Sequence, residues 1–584
     1  MFFARGPDTL SCMNGRPLRV GNASGFYGDR FAAVREMLAD GPLDVLTGDY
    51  LAELTMLILG RDRRKDPGLG YARTFLRQME ECLGLALERG VTVVTNAGGL
   101  NPAGLAGALR ELAGRLGLDA RIAHVEGDDL LPRADELGLA APLTANAYLG
   151  AWGVAEAVRA GADVVVTGRV ADASLLVGPA AARFGWARGD HDALAGAVVA
   201  GHVIECGAQA TGGNYAFFTE LQRAGRDLTR PGFPIAEVHA DGSTVITKHE
   251  GSGGAVTVGT VTAQLVYEIA GARYPNPDVT ARLDTVRLSE EGPDRVRISG
   301  VRGEAPPPDL KVVCNRMSGF ANEMTLVLTG LDVEAKAELA ERQMRAALRG
   351  REPAHLEFRT VHRAAPDAPT QEGASAHLRI TARDADPRAV GRAFSSAAVE
   401  LALAGFPGFH ATSPPGDARP DGVSVSVAAV PAQEVPHVAV LPDGTRVDIA
   451  PSAVSSPLAD VADPPLPPPP PGGPVRRAPL GLLLGARSGD KGSDANIGVW
   501  ARSEDAWRWL AHALTAEEIR RLLPETAPLE ITRHPLPNLR AVNFVVEGLL
   551  GCGAGGDTRP DPQAKALGEW LRSRHIDIPK ALLP

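Results

Sequence analysis

Over the first third of the chain the apolar positions follow two alternating rhythms. Short runs such as LRVGN, PLDVLTGDY, VTVVTNAGG, DARIAHVEG and DVVVTGR are continuously apolar and Val-rich, the pattern of strands buried on both faces. Between them, RFAAVREMLAD, ARTFLRQMEECLGLALERG, AGLAGALRELAGRLG and TANAYLGAWGVAEAVRAG repeat apolar residues at helical spacing, as Phe75, Met79 and Cys82 do. This βα repetition predicts an α/β fold with a layered parallel sheet over residues 1–225. The rhythm breaks near Gly201 after about five βα units, which argues against an eight-stranded barrel. The last helix before the break is DALAGAVVAGHVIE.

Downstream the pattern changes. ITKHEGSGGAVTVGTVTAQLVYEI reads as a strand, a glycine loop and a helix, followed by a strand-rich, Pro-punctuated section through KVVC. From Glu323 to Val430 the order is MTLVLTG, helix VEAKAELAERQMRAALRG, HLEFRTV, HLRITAR, helix PRAVGRAFSSAAVELALAG and VSVSVAAV. That βαββαβ order predicts a middle α+β domain over 226–460. DPPLPPPPPGGP, Asp463 to Pro474, cannot build a packed core, so residues 461–477 are expected to be a stiff linker. Such a run can also dock onto an aromatic-lined module. Residues 478–584 complete the chain as a small C-terminal α+β module, with strands LGLLLG, IGVWAR and AVNFVVEG and a closing helix DPQAKALGEWLRSRH.

Composition narrows the function classes. The 584 residues are 44% hydrophobic and 22% charged, an ordinary globular balance. A net charge of -10, without any run of Lys or Arg, leaves no footprint for nucleic acid or an anionic membrane. Cys12, Cys82, Cys206, Cys314 and Cys552 lie far apart without C-x-x-C spacing, which suits a reducing cytoplasm and neither a disulfide framework nor a thiolate zinc site. The 13 His form no H-E-x-x-H, so no metal site is expected. The N-terminal MFFARGPDTLSC lacks a signal-peptide pattern, and no stretch has the length of a membrane span.

Candidate chemistry gathers at one sheet edge. Asn22, Ser24, Asp49, Asn96 and Arg169 each follow the carboxyl end of a predicted strand, the edge where ligands bind in such sheets; each could alternatively serve its own turn. Glu205 falls on the last turn of its helix with Gly207 as the C-cap, where the helix dipole opposes ionisation. It is either a general acid or base, or a solvated side chain at a frayed end. Cys206 is either a nucleophile toward a thioester, with His202 as its base, or a small buried hydrophobe. Arg169 and Asp172, three residues apart, form either an anion clamp or a structural ion pair. Lys248 precedes a glycine loop that opens a helix, a weak anion cradle. Arg487, Asp490, Lys491 and Asn496 sit in GARSGDKGSDANIGVW, a glycine-punctuated loop that lacks phosphate-loop spacing; it either closes over the ligand edge or is a solvated hairpin. GNASGFYG lacks G-x-G-x-x-G spacing, so no dinucleotide is indicated.

The strings RVGNASGFYGDR, VLTGDYLAELTM, VTNAGGLNP, VVVTGRVADASL, GHVIECGAQATGGNY and GARSGDKGSDANIGV together resemble the acyclic terpene utilisation (AtuA) family. The resemblance implies a bacterial cytoplasmic protein of branched or prenyl-like acid catabolism, acting on acyl-CoA thioesters. It supplies no reaction and no catalytic residue. The expectation is an enzyme that handles a small acyl-CoA or carboxylic acid by acid–base chemistry of lyase, hydratase or hydrolase type. No cofactor is expected beyond CoA as part of the substrate, and the chain is expected to be a homo-oligomer. The alternative is a non-catalytic binding or scaffold subunit for an acyl-CoA enzyme.

Overall fold

The computed structural model describes residues 15–139, 142–317, 319–361, 364–421, 423–459, 461–470, 472–551 and 559–584. The N-terminal MFFARGPDTLSC with Cys12, and Cys552, lie outside the described residues. Chain contacts divide the molecule into two units, one of residues 1–315, 425–551 and 563–584, the other of 316–424 and 552–562.

The first unit is built on an eleven-stranded mixed sheet. Its centre is five parallel strands, β1 (Leu18–Asn22), β2 (Val45–Gly48), β3 (Thr92–Thr95), β4 (Ile122–Glu126) and β6 (Val164–Thr167), in the order β1-β2-β3-β6-β4; β5 (Thr144–Ala147) lies outside this sheet. Antiparallel strands extend both edges: β7 (Pro234–Val238), β8 (Thr244–Lys248) and the hairpin Arg287–Gly292/Arg295–Ser299 beside β1, and Val438–Val440 with Arg446–Asp448 beside β4.

Why the strands read as continuous apolar runs is visible in the packing. Val45, Val94 and Val165 point into the core shared with α5 (Trp152–Arg159), α6 (Ser174–Phe184) and α7 (His191–Ile204). Their neighbours Leu46, Val93, Val164 and Val166 point into a second core. Covering that face are α1 (Ala33–Ala39), α3 (Arg73–Arg89) and α4 (Pro102–Leu116); α2 (Glu53–Lys65) follows β2, while α8 (Phe218–Arg223) and α9 (Val258–Leu265) come after α7. Local signals set the helix ends. The Asn101 side chain caps α4 by accepting from Gly104 N at 2.9 Å, with Pro102 in the first turn.

Two local expectations change. TANAYLGAWGVAEAVRAG is not one helix, for Thr144–Ala147 is the separate strand β5, paired antiparallel with Asp309–Met317 (Val313 against Asn146, Asn315 against Thr144). Tertiary pairing overrides helical propensity here, and the freed chain places Tyr148 and Asn146 at the ligand edge. The stretch Gly485–Trp500 is a tight hairpin of strands Leu484–Lys491 and Asp494–Ala501, with Lys491 opposite Asp494, but it is largely buried and not solvated. These strands belong to a four-stranded antiparallel sheet with Ala541–Val546 and Ile531–Leu536, packed on helices Glu504–Ala513 and Leu567–Ser573 through Ile497, Val499, Trp507, Phe544 and Leu571. The Pro-rich run lies along the first of these helices, where Arg508 Nε donates to Pro468 O at 2.9 Å.

The second unit has its own antiparallel sheet of Phe320–Thr329, His355–Thr360, Ser375–Asp384 and His410–Ala411, with helices Val333–Ala347 and Arg392–Ala404 on it. Numbered in chain order, these strands lie 2-3-1-4, the split βαβ order. The final strand differs from the sequence reading: VSVSVAAV, in strand Val423–Pro431, joins the sheet of β5 and Asp309–Met317 instead.

Candidate functional site

Polar residues follow the carboxyl ends of the parallel strands, and two of these side chains hold each other. Asp49, after β2, accepts from Leu51 N at 3.0 Å and from Asn96 Nδ2, after β3, at 2.6 Å. Asn96 Oδ1 accepts from Tyr50 N at 2.7 Å. Asn22, at the end of β1, donates through Nδ2 to Ile204 O at 2.7 Å and Glu205 O at 2.9 Å. It thereby satisfies carbonyls that a helix C-terminus leaves open, and fixes Glu205 at the sheet edge.

Arg169, after β6, is the hub. Its guanidinium donates to Leu51 O at 2.9 Å and Tyr148 Oη at 2.8 Å, and stands 3.2 Å from Asp172 Oδ1. Tyr148 lies between two cations, with the Arg169 guanidinium carbon 4.2 Å and Lys311 Nζ 4.6 Å from its ring centroid. Below the hub, buried Asp128 accepts from Arg169 N and Asn146 Nδ2, each at 2.8 Å; burial outweighs these bonds and lifts its carboxyl to about 7.

A second group of charges faces the first. At the end of α7, His202 Nδ1 is 3.3 Å from Glu205 Oε1, while Glu205 Oε2 has no hydrogen-bond partner. After α9, Glu268 holds a left-handed backbone with φ of 54°. Its carbonyl accepts from Lys491 Nζ at 3.3 Å, and its carboxylate shares Lys565 Nζ, at 3.0 Å, with Tyr267 Oη at 2.6 Å and Asp490 Oδ1 at 2.9 Å. The hairpin approaches this closely because of its glycines: a Cβ at Gly498 would lie 2.3 Å from Val266 O.

The electrostatics follow from crowding. Burial first, then the charge of Asp172, hold Asp49 and Glu205 well above the usual carboxylate range, with Glu268 adding to the effect at Glu205. Asp172 is raised by burial but held back by Arg169; its side chain is 29% exposed against 10% for Glu205, so part of it meets solvent. Asp490 is raised in the same way, by burial. Burial and then Lys311 lower Lys491 to about 8, and burial lowers His202 to about 4, so the imidazole beside Glu205 is neutral at pH 7. Burial and then Glu205 push the Cys206 thiol well up, surroundings that disfavour the thiolate.

Asp49, Asn96, Arg169, Asp172, Glu205, Cys206, Asp490 and Lys491 therefore share one cluster of the first unit, with Asn22 bracing it. The other candidates are held by partners of their own. Ser24 Oγ donates to Phe26 O at 3.0 Å, and Lys248 Nζ to Ser252 O at 2.6 Å with Asp294 at 3.5 Å. Arg487 donates to Gln209 Oε1 and stacks on Tyr267, with its guanidinium carbon 4.5 Å from the ring centroid. Asn496 accepts from Glu268 N at 2.8 Å and donates to Asn543 Oδ1, docking the hairpin onto the end of α9.

Sequence reasoning passed over Glu53, Asp128, Tyr148, Glu268, Lys311 and Lys565. Asp128 follows β4 and obeys the strand-end rule already applied to the other loops. Lys311 carried a signal too, as a cation inside the apolar run LKVVC. Lys565 carried none, because only the fold brings it to Glu268. A larger cavity of about 540 Å³, lined by Trp152, Arg188, Asp278 and His437, contains none of the predicted residues.

Among the described residues no helix is long and apolar enough to cross a membrane, and no three His, Cys, Asp or Glu side chains are grouped to hold a metal ion. No curated protein matches the chain. The model of the acyclic terpene utilisation family protein AtuA matches residues 18–441, and that of the AtuA ferredoxin-like domain matches residues 478–577, where the hairpin carrying Asp490 and Lys491 resides. The chain belongs to the AtuA family of acyclic terpene utilisation.

Proposed function

We propose that this AtuA-family protein is an enzyme that moves protons on a small branched carboxylic acid or its acyl-CoA thioester. The observation that carries the reading is the pairing of two carboxyls, one held by a guanidinium and one beside a neutral imidazole, with two lysines near them. Glu205 has a free oxygen, a neutral imidazole at 3.3 Å and two acidic neighbours, so it keeps its proton and serves as the general acid. Asp172, held by Arg169 at 3.2 Å and open to solvent, is the base. Lys491 and Lys311 repel each other, and an anionic substrate group or a developing enolate oxygen between them relieves that repulsion. Addition to, or elimination from, a carbon next to a thioester carbonyl needs this set of an acid, a base and an oxyanion cation.

The test is turnover of a panel of branched acids and acyl-CoAs by the wild type and by Glu205→Gln and Asp172→Asn. Loss of turnover in both variants, with folding intact, supports the assignment; unchanged rates overturn it. One observation favours the scaffold alternative: on helix Arg392–Ala404, Val399 and Leu403 lie four residues apart, at 59% and 102% exposure. A scaffold would show no stabilisation by any acid or thioester in a thermal-shift screen.

A further inference from the structure

Beside Arg169, the partner of Asp172, is a small recess whose wall includes Arg169, Tyr148 and Glu53. Its floor is the strand pair of β5 and Asp309–Met317. Asn146 and Asn315 project from that pair, and because residues two apart on a strand share a face, Val313 and Lys311 lie on the same side. Both amides are nearly inaccessible, at 2% and 1% exposure, and in both the Oδ1 atom lacks a hydrogen-bond partner. Their orientation is determined at the other end. Asn146 Nδ2 donates to Asp128 Oδ2 at 2.8 Å, and Asn315 Nδ2 to Thr144 Oγ1 at 2.9 Å, which leaves the carbonyl ends unused.

An acceptor buried without a donor is costly, so two of them facing one small recess point to recognition of a donor there. The charge balance selects the kind of donor. Glu53 is the recess's carboxylate, and Lys311 and Arg169 already compensate it, holding its carboxyl below the ordinary range. Because the one carboxylate in the wall is already matched, an ammonium would add positive charge beside Arg169 and Lys311 with no counter-charge of its own. A neutral hydroxyl meets no such cost. Met56 and Val313 supply apolar surface for the carbon that bears it.

We propose that this recess binds a hydroxyl group of the substrate through the amide oxygens of Asn146 and Asn315, so that the substrate class is a hydroxylated short branched acid or thioester. The inference rests on the acid–base reading for the position of the reacting carbon, and its test is equilibrium binding, which does not require turnover. Isothermal titration of the full chain would compare 3-hydroxyisovalerate, 2-hydroxyisovalerate, isovalerate and 3-aminoisovalerate, and the CoA thioester of each acid. At least one hydroxy compound is expected to bind about tenfold tighter than its deoxy partner, with the preference falling to within about threefold in Asn315→Ala while deoxy affinity is unchanged. Asn146→Ser serves if Asn315→Ala fails to fold. Equal binding of hydroxy and deoxy compounds overturns the inference and leaves the acid–base assignment standing, whereas tighter binding of the amine replaces the hydroxyl by an ammonium. Absence of binding by every compound overturns the recess as a substrate site.

Discussion

Replacing Glu205 by Gln is expected to stabilise the protein at pH 7 while removing most of its activity. The wild-type carboxyl is 10% exposed, has an oxygen without a partner and stands near Asp172 and Glu268, so ionising it is unfavourable. A glutamine of the same shape carries no charge, and its amide can donate to the neutral Nδ1 of His202, now 3.3 Å from Oε1. Removing a strained functional group of this kind commonly gains about 0.5–2 kcal/mol. At about 1 °C per kcal/mol in a chain of this size, the midpoint should rise by about 0.5–2 °C. The pH dependence has a definite sign. Below the ordinary glutamate value near 4.3 both folded and unfolded chains are protonated there, so the variant gains nothing. As pH rises, the unfolded chain ionises while the folded one keeps its proton, and wild-type stability falls relative to Gln until the folded carboxyl itself titrates. Differential scanning fluorimetry of both proteins from pH 4 to 9, with steady-state turnover alongside, reads both effects. Turnover should fall by about 10²- to 10⁴-fold. A variant destabilised at pH 7, or one with turnover within threefold of wild type, would refute the reasoning.

Other expectations follow from the same geometry. Lys491 loses its proton near pH 8, so KM for an anionic substrate should climb through pH 7–9 in the wild type and be raised and flat in Lys491→Met; a pH-independent wild-type KM excludes the role. Arg169→Lys keeps the charge but cannot reach Leu51 O, Tyr148 Oη and Asp172 together, and urea titration should show a loss of about 2–3 kcal/mol. Cys206→Ala should retain turnover within about threefold because the thiolate is disfavoured; a loss above about a hundredfold would establish the sulfur as nucleophile. Gly498→Ala places a methyl group 2.3 Å from Val266 O, and thermal unfolding should report a destabilisation above about 2 kcal/mol.

The sequence by itself determined the layered α/β fold, the first five elements of the βαββαβ unit and the edge on which polar side chains collect. Those features rest on local causes. A strand buried on both faces must be apolar throughout, as VVVT of β6 is, and the residues after it must turn, so that Asn96 and Arg169 announce themselves by position. Glu205 was legible for the same reason, since helix composition located the end of α7, although Glu205 itself is the C-cap and Gly207 opens the following 3-10 turn. What only the tertiary structure decided is which charges meet. TANA has a helical neighbourhood and becomes β5 because Asp309–Met317 offers it a backbone ladder, and that pairing brings Asn146, Asn315 and Lys311 to one face. Lys565 reaches Glu268 across 297 residues of chain. The lowered affinity of Lys491 for its proton arises from burial and from a second lysine 180 positions away in the sequence. Coulomb energy and desolvation depend on distances in space, and spacing along a chain encodes those distances only within a single element.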